Sequence, residues 1–385
     1  MVKRVLCLSN GHGEDSIAVV VLGALAERGV KVWAMPIVGA GGAYRSHGIE
    51  ILGPTQAMPS GGFIYMDARH LWHDLQSGLG GLTLAQYQTL KEMAPQVDLV
   101  LAVGDIVVQI FARLSEQPHA FIGTAKSDYY IGGKPSVYAP WERWLMANPR
   151  CAAVYPRDRV TTLNLQKLGV ARAHDLGNPM MDGLTPQGFC LERLGGQGPL
   201  VTLLPGSRPP EAYRNLNVLL EAVCHLKTPL VFAAALTKSL QTEELETSLG
   251  EAGWQTTPLA PDLWQVQQGE HRAYLVWGAF ADLIAAANLV LAMAGTATEQ
   301  AVGLGKPVIT LPGAGPQFTY RFAEAQTRLL GPSVNLVLDP AQVAPMAHQL
   351  LTDPRLPARL QANGKERMGT VGAAQRIAQH LMEFL

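Results

Sequence analysis

Cysteine is scarce in this sequence: Cys7, Cys151, Cys190 and Cys224 are the only four in 385 residues. None forms a CxxC pair, so zinc-site and redox-motif readings have no footing. The expectation is a reduced, cytoplasmic protein, with Cys7 a buried thiol inside an apolar strand. Charge of either sign is also low. Thirty basic residues face 31 acidic ones, for a net charge of −1. Wholesale nucleic-acid binding favours a basic surface, so no nucleic-acid partner is expected. Long apolar runs are missing as well. No stretch of about 18 apolar residues occurs, so nothing is expected to span a bilayer. The apolar part of Met1 to Ser9 is too short for a signal peptide and reads as a first strand. Peripheral attachment at the inner face of a membrane stays open.

What is present is apolar bulk. Hydrophobic residues make up 48% of the chain and charged residues 16%, enough for large cores. The length suggests two domains.

The most informative stretch runs from Asn288 to Pro312. Leu289 to Ala292 is an apolar run of strand length. Gly295 breaks it and lets the backbone turn tightly beside a ligand. Thr296 or Thr298 is expected to cap the following helix, which runs through Glu299 to the glycines at 303 and 305. Val308 to Leu311 is the next strand. The first turn of such a helix has unpaired N–H groups and a partial positive charge, so it can receive a phosphate. Glu299, about one turn in, can accept hydrogen bonds from ribose hydroxyls. The plain alternative is an ordinary strand-helix-strand unit.

In the first half, Val5 to Leu8 is a strand, and Ser9 to Ser16 reads as a glycine-rich turn before a helix from about Ile17. This turn lacks GxGxxG spacing, which argues against NAD. His12 or Glu14 can act there as a base or position a hydroxyl, or can simply be solvated. Leu71, Trp72, Leu75, Leu79 and Leu82 form an amphipathic stripe, either core or an acyl-chain surface. Leu99 to Val103 is a buried strand, with Gly104-Asp105 at its carboxyl end, where open α/β sheets place ligands. Asp105 is the candidate general base; its alternative is to cap the next helix. Asp98 to Gly104 and Asn288 to Ala294 are a weak internal echo. Trp141 and Trp144, with arginines nearby, suit an interface or membrane, but core packing is the expected reading.

Asp175 to Asp182 reads as the domain junction, and Leu204-Pro205-Gly206-Ser207-Arg208 as a tight loop after a strand. Arg208 can hold phosphate oxygens with two parallel bonds and offset a leaving group's charge. Trp254 to Tyr274 shows no regular period. Tyr274 to Gly278 is a strand with its exit. A glycine loop after Pro312 enters a helix near Gln317.

These residues carry a resemblance. Gly295-Thr-Ala-Thr-Glu-Gln-Ala301 with Gly305-Lys-Pro-Val-Ile309 looks like the donor-binding segment of GT-B glycosyltransferases. Leu204 to Arg208 resembles lipid-A-disaccharide synthases most specifically. Gly177-Asn-Pro-Met-Met-Asp182 resembles their exit from the first domain, and Phe318-Thr-Tyr-Arg-Phe-Ala323 their Phe-Thr-aromatic helix. Val103-Gly104-Asp105 is one residue shorter than their Val-Gly-Ile-Asp, and Pro209-Pro210 departs from their usual continuation. The resemblance implies two Rossmann-like, doubly wound parallel-sheet domains facing a cleft. Its domain reading is 1–180, a linker 181–198, a nucleotide-sugar domain 199–368, and a terminal helix 369–385 bracing the first domain. It implies donor contacts from Ser207, Arg208, Gly278, Gly295, Thr296, Glu299 and Gln317, with catalysis from Asp105, His12 or Glu14. The substrates implied are a UDP-sugar and a lipid or glycolipid acceptor, with inversion at the sugar and no metal required. Two rivals share the architecture: a UDP-sugar 2-epimerase and a non-catalytic sugar-nucleotide or lipid binder.

Overall fold

The computed structural model describes residues 2–56, 79–131, 135–226 and 229–385. The chain divides into two units, Met1–Gly183 with Thr370–Leu385, and Leu184–Gly369. Each is built on its own sheet.

In unit 1, β1 (Arg4–Asn10), β2 (Lys31–Val38), β3 (Glu50–Ile51), β4 (Leu99–Gly104), β5 (His119–Gly123) and β6 (Cys151–Tyr155) pair in parallel, in the order β3-β2-β1-β4-β5-β6. The helices between them are α1 (His12–Ala26), α2 (Gly42–Ser46), α3 (Leu79–Met93), α4 (Ile106–Leu114), α5 (Pro140–Met146) and, after β6, α6 (Arg159–Lys167). Every residue of β4 is buried. A strand covered on both faces must be a continuous apolar run, and Leu99-Val-Leu-Ala-Val-Gly104 is one.

Among the described residues, unit 2 has eight strands: β7 (Leu200–Leu204), β8 (Val231–Leu236), β9 (Gln255–Ala260), β10 (Leu263–Gln268), β11 (His271–Trp277), β12 (Leu289–Ala292), β13 (Val308–Thr310) and β14 (Val334–Leu336). Their order is β14-β13-β12-β7-β8-β11-β10-β9. The helices are α7 (Glu211–Cys224), α8 (Thr242–Glu251), α9 (Phe280–Ala286), α10 (Thr296–Gly303), α11 (Tyr320–Leu330), α12 (Val343–Thr352) and α13 (Leu356–Met368). The stretch after Trp254 is not irregular, as its sequence implies, but an antiparallel β9-β10-β11 meander. Its edge strand β9 is largely exposed and carries no apolar alternation, so periodicity had nothing to report.

The internal echo has a structural counterpart. β4 lies beside β1, and β12 lies beside β7. The Asp98 carboxylate accepts the Arg4 N–H at 2.8 Å, and the Asn288 amide oxygen accepts the Leu200 N–H at 2.9 Å. The same side-chain position thus fixes the register of the first strand in each sheet.

A last helix, α14 (Ala373–Leu381), packs on α1. Asp182 receives it: one carboxylate oxygen accepts from Gly372 N–H and the other from Ala374 N–H at 2.6 Å. Acceptors at a helix start satisfy donors that have no intrahelical partner. The stretch read as a polar linker is held within unit 2, where the N–H groups of Gln187, Gly188 and Phe189 donate to Asp282 at 2.8–3.0 Å.

Candidate active site

Both sheets reverse strand order beside their first strand, between β1 and β4 and between β7 and β12. Ligands of open parallel sheets bind at such switch points, beyond the carboxyl ends of the strands. In both units an asparagine crosses this point.

In unit 2 the asparagine is Asn215, on α7. Its amide donates to Pro205 O at 3.0 Å and to Met293 O at 3.3 Å, joining the loop after β7 to the loop after β12. One turn earlier on the same helix face, Glu211 accepts the N–H groups of Gln317, at 3.2 Å, and Phe318, at 2.6 Å. The glycine loop after β13 is thereby tied to the same helix. Arg214 adds a bond to Gly315 O at 2.7 Å. Gln326, buried on α11, donates to Ala294 O and Gly295 O at 3.1 Å each. Three loops at strand carboxyl ends are thus fixed by polar side chains from α7 and α11.

These loops carry all the donor residues expected from the sequence except Gly278, which follows β11. Ser207 is exposed and Arg208 half-buried, following Gly206, whose φ of 96° only glycine adopts easily. Gly295 is the N-cap of α10, Thr296 its exposed first residue, and Glu299 a buried residue of its first turn. Gly278, exposed at the exit of β11, has φ 77°. Gln317 is exposed, and it precedes α11 rather than lying in it: the cap is Thr319 and the helix opens at Tyr320. The bonds to Glu211 hold Gln317 and Phe318 out of helical geometry. The capping expectation for α10 is also corrected. Neither Thr296 nor Thr298 caps it; the Thr298 hydroxyl donates back to Ala294 O at 2.6 Å.

In unit 1 the asparagine is Asn10, at the end of β1. Its amide donates to one oxygen of Asp105 at 2.8 Å, while Val107 N–H donates to the other at 2.8 Å. Asp105 is therefore the N-cap of α4. Burial pushes its carboxyl above the ordinary value, against the opposing pull of these bonds and of the Lys126 charge. Gly104, with φ 138°, keeps the strand end narrow; a Cβ there would stand 3.2 Å from Glu14 Cγ. The Glu14 carboxylate accepts from the Thr124 hydroxyl at 3.3 Å. Asp105, Asn10, Glu14 and Thr124 thus gather where β1, β4 and β5 end.

The segment Ser9 to Ser16 is not the loop its glycines imply. β1 runs to Asn10, and α1 starts at His12 through a single glycine, Gly11, whose φ of 137° favours that residue. Glu14 and Asp15 are first-turn acids, favoured there by the helix dipole. The side chain of His12 lies outside the described residues. So do Leu71, Trp72, Leu75 and the side chain of Leu79 in the expected apolar stripe; Leu82 is buried core. Among the described residues, no group of three or more His, Cys, Asp or Glu stands where it could hold a metal ion.

Asn10, Glu211, Asn215 and Gln326 are the residues that sequence reasoning passed over. One signal existed. Glu211 and Asn215 are polar, four apart, and fall on the helix stripe that also carries Ala212, Leu216 and Leu219. A polar pair inside an apolar stripe needs buried partners.

No family model matches the chain. A lipid-A-disaccharide synthase of Solibacter usitatus (strain Ellin6076) is 32% identical over 122 residues, which is 32% of this chain and 28% of that protein. Among solved structures, the S. aureus MnaA–UDP co-structure superposes with a TM-score of 0.65 at 13% identity, covering 100% of this chain and 98% of that one. The calicheamicin glycosyltransferase CalG4 gives 0.64 at 15% identity, with the same coverage. A UDP-N-acetylglucosamine 2-epimerase assigned in Listeria monocytogenes gives 0.61 at 17%, again covering 100% and 98%. The fold is GT-B-like: two Rossmann-like α/β domains, with the final helix returned to the first.

Proposed function

We propose that this chain is an inverting hexosyltransferase that takes a UDP-sugar in unit 2 and passes an N-acetylglucosamine-type sugar, acylated or not, to a hydroxyl of a lipid-linked acceptor. The observation that carries the reading is the Asn215 bridge. It sets the Arg208 loop and the start of α10 side by side at a switch point, as a diphosphate with an adjoining ribose requires.

In this reading Arg208, Ser207 and the first N–H groups of α10, from Gly295 and Thr296 onward, receive the diphosphate. Glu299 accepts the ribose hydroxyls, the backbone at Gly278 meets the base, and Gln317 meets the sugar. Asp105 takes the acceptor proton, with Glu14 and His12 as the nearby alternatives. The acceptor oxygen then bonds to the anomeric carbon from the face opposite UDP. The carbon–oxygen bond to the phosphate breaks, and UDP leaves with the electron pair. No metal is required, because Arg208 and the helix N–H groups offset the charge developing on the leaving group. The lipid-A-disaccharide synthase match over 122 residues supports a lipid acceptor.

Calorimetric titration with UDP, ADP, CMP and NAD tests the donor half. UDP alone is expected to bind. Arg208→Ala and Glu299→Ala should each weaken it by roughly tenfold or more, the size of a lost charged hydrogen bond. If no nucleotide binds the folded protein, the transferase reading gives way to a non-catalytic binder. A second reading, a UDP-sugar 2-epimerase, is supported by the full-length likeness to the Listeria protein.

A further inference from the structure

α4 and α5 pack against each other in unit 1, and both leave apolar side chains uncovered. Ile110 and Leu114, one turn apart on α4, are 43% and 41% exposed; Trp141 and Trp144, three residues apart on α5, are 52% and 65% exposed. Residues at these spacings share a helix face, so each helix presents a stripe. The tryptophans were expected in the core. They face out because the inward face of α5 is already taken by Glu142 and Met146. The Glu142 carboxylate accepts from Lys126 at 2.6 Å and from Ala139 N–H at 2.9 Å.

Charge at this face is mostly basic, with Glu116 beside Arg113 and Arg150. Arg113 lies in the last turn of α4, Arg143 between the tryptophans, and Arg150 in the turn before β6. The acids on these segments are engaged: Glu116 pairs with Lys91 at 2.9 Å, and Glu142 is buried with Lys126. Exposed indoles with arginines on the same and neighbouring segments suit the boundary of an anionic bilayer. Trp settles at headgroup depth, and arginine stems lie on apolar surface while their charges meet phosphates. No described helix is long and apolar enough to cross a membrane, so attachment through a surface is the physical route open to these helices.

We propose that the α4–α5 face docks the protein on an anionic lipid surface. This goes beyond the transferase reading and does not depend on UDP. It also places the lipid plane close to the candidate base, because α4 opens at Asp105 and its stripe begins five residues later, about 8 Å along the helix.

The test is vesicle co-sedimentation of the full chain, with phosphatidylcholine alone and with phosphatidylcholine mixed with phosphatidylglycerol. Binding is expected only with the anionic lipid. It should be accompanied by a blue shift of tryptophan fluorescence, because Trp33, Trp254 and Trp264 are buried while Trp141 and Trp144 are exposed. Trp141→Ser with Trp144→Ser should reduce bound protein by roughly tenfold and abolish the shift. Arg113→Gln, Arg143→Gln and Arg150→Gln should each weaken binding by roughly fivefold. Circular dichroism melts check that the variants fold. No vesicle binding overturns the proposal, as does binding that the folded variants retain. Self-association of the parent protein, lost in the double tryptophan variant without any lipid binding, overturns it in favour of a second copy of this chain. A failure to bind UDP leaves these outcomes unchanged, so the two readings fall separately.

Discussion

Asp105 and Asp15 are both carboxyls raised by burial, with different consequences. Asp105→Asn retains an oxygen for the Val107 N–H, and Asn10 can turn its amide oxygen toward the new amide, so the cap survives. The substitution is expected to lower kcat by about 10²–10⁴-fold and leave UDP affinity within roughly twofold, as steady-state kinetics and calorimetry would show. On the proposed reading the base works ionised, so activity should fall on acidification through a pKa above the ordinary 3.8. Asp15 is enclosed: the Ser9 hydroxyl donates to it at 2.6 Å and in turn accepts from Tyr44 at 2.6 Å. Burial, aided by the Glu14 charge and opposed by the Ser9 bond, raises its carboxyl from 3.8 to about 6. The folded state holds this proton more tightly than the unfolded chain. Its stabilising contribution is therefore complete below 3.8 and lost as pH rises through about 6. Asp15→Asn does not titrate. Its stability relative to the parent should climb across that window by roughly 3 kcal/mol, read from urea unfolding on either side. At this scale the sequence was half legible. Asp105 and Glu299 announce themselves at the end of a strand and in the first turn of a helix. Asn10 does not, because one amide at a strand end has no period and its partner, the Asp105 carboxylate, lies 95 residues on; Asn215 shows only as half of a polar pair in an apolar helix stripe.

Among the elements, α7 does the most to shape the loops of the candidate site. Glu211 holds the N–H groups of Gln317 and Phe318 from 106 and 107 residues away. Glu211→Ala should cost about 2–3 kcal/mol locally, seen as amide exchange at Gln317 and Phe318 faster by roughly a hundredfold, together with weaker UDP binding. Unchanged exchange at both amides would show that the glycine loop supports itself. The central strands were readable because burial on both faces demands uninterrupted apolar residues, as in β4 and β12. The outward face of α5 was not. Helical spacing says which residues share a side, but an ion pair formed by Lys126, outside the helix, decides which side is covered.

For the whole molecule, fold does not choose between transfer and epimerisation, since solved structures of both kinds superpose on it. Turnover does. Incubated alone with UDP-N-acetylglucosamine, the protein is expected to leave the sugar unepimerised by NMR and to release UDP only when a lipid-linked hydroxyl acceptor is added. Appearance of the 2-epimer without acceptor would install the epimerase reading instead. The two-domain plan was legible from length and from two similar strand patterns. The anchoring of 187–189 on Asp282 was not, because a polar, glycine-containing segment looks the same whether it is solvated or bound. One further consequence follows from α14 packing on α1. Unit 2 is a continuous stretch of chain, whereas unit 1 is completed by residues translated after all of unit 2. On the ribosome, α1 must wait with its α14-facing side bare until Asp182 can receive Gly372 and Ala374. The second unit to be synthesised is therefore the first that can finish folding, and a stalled or prematurely ended translation product would expose the unclosed side of α1 to chaperones and proteases.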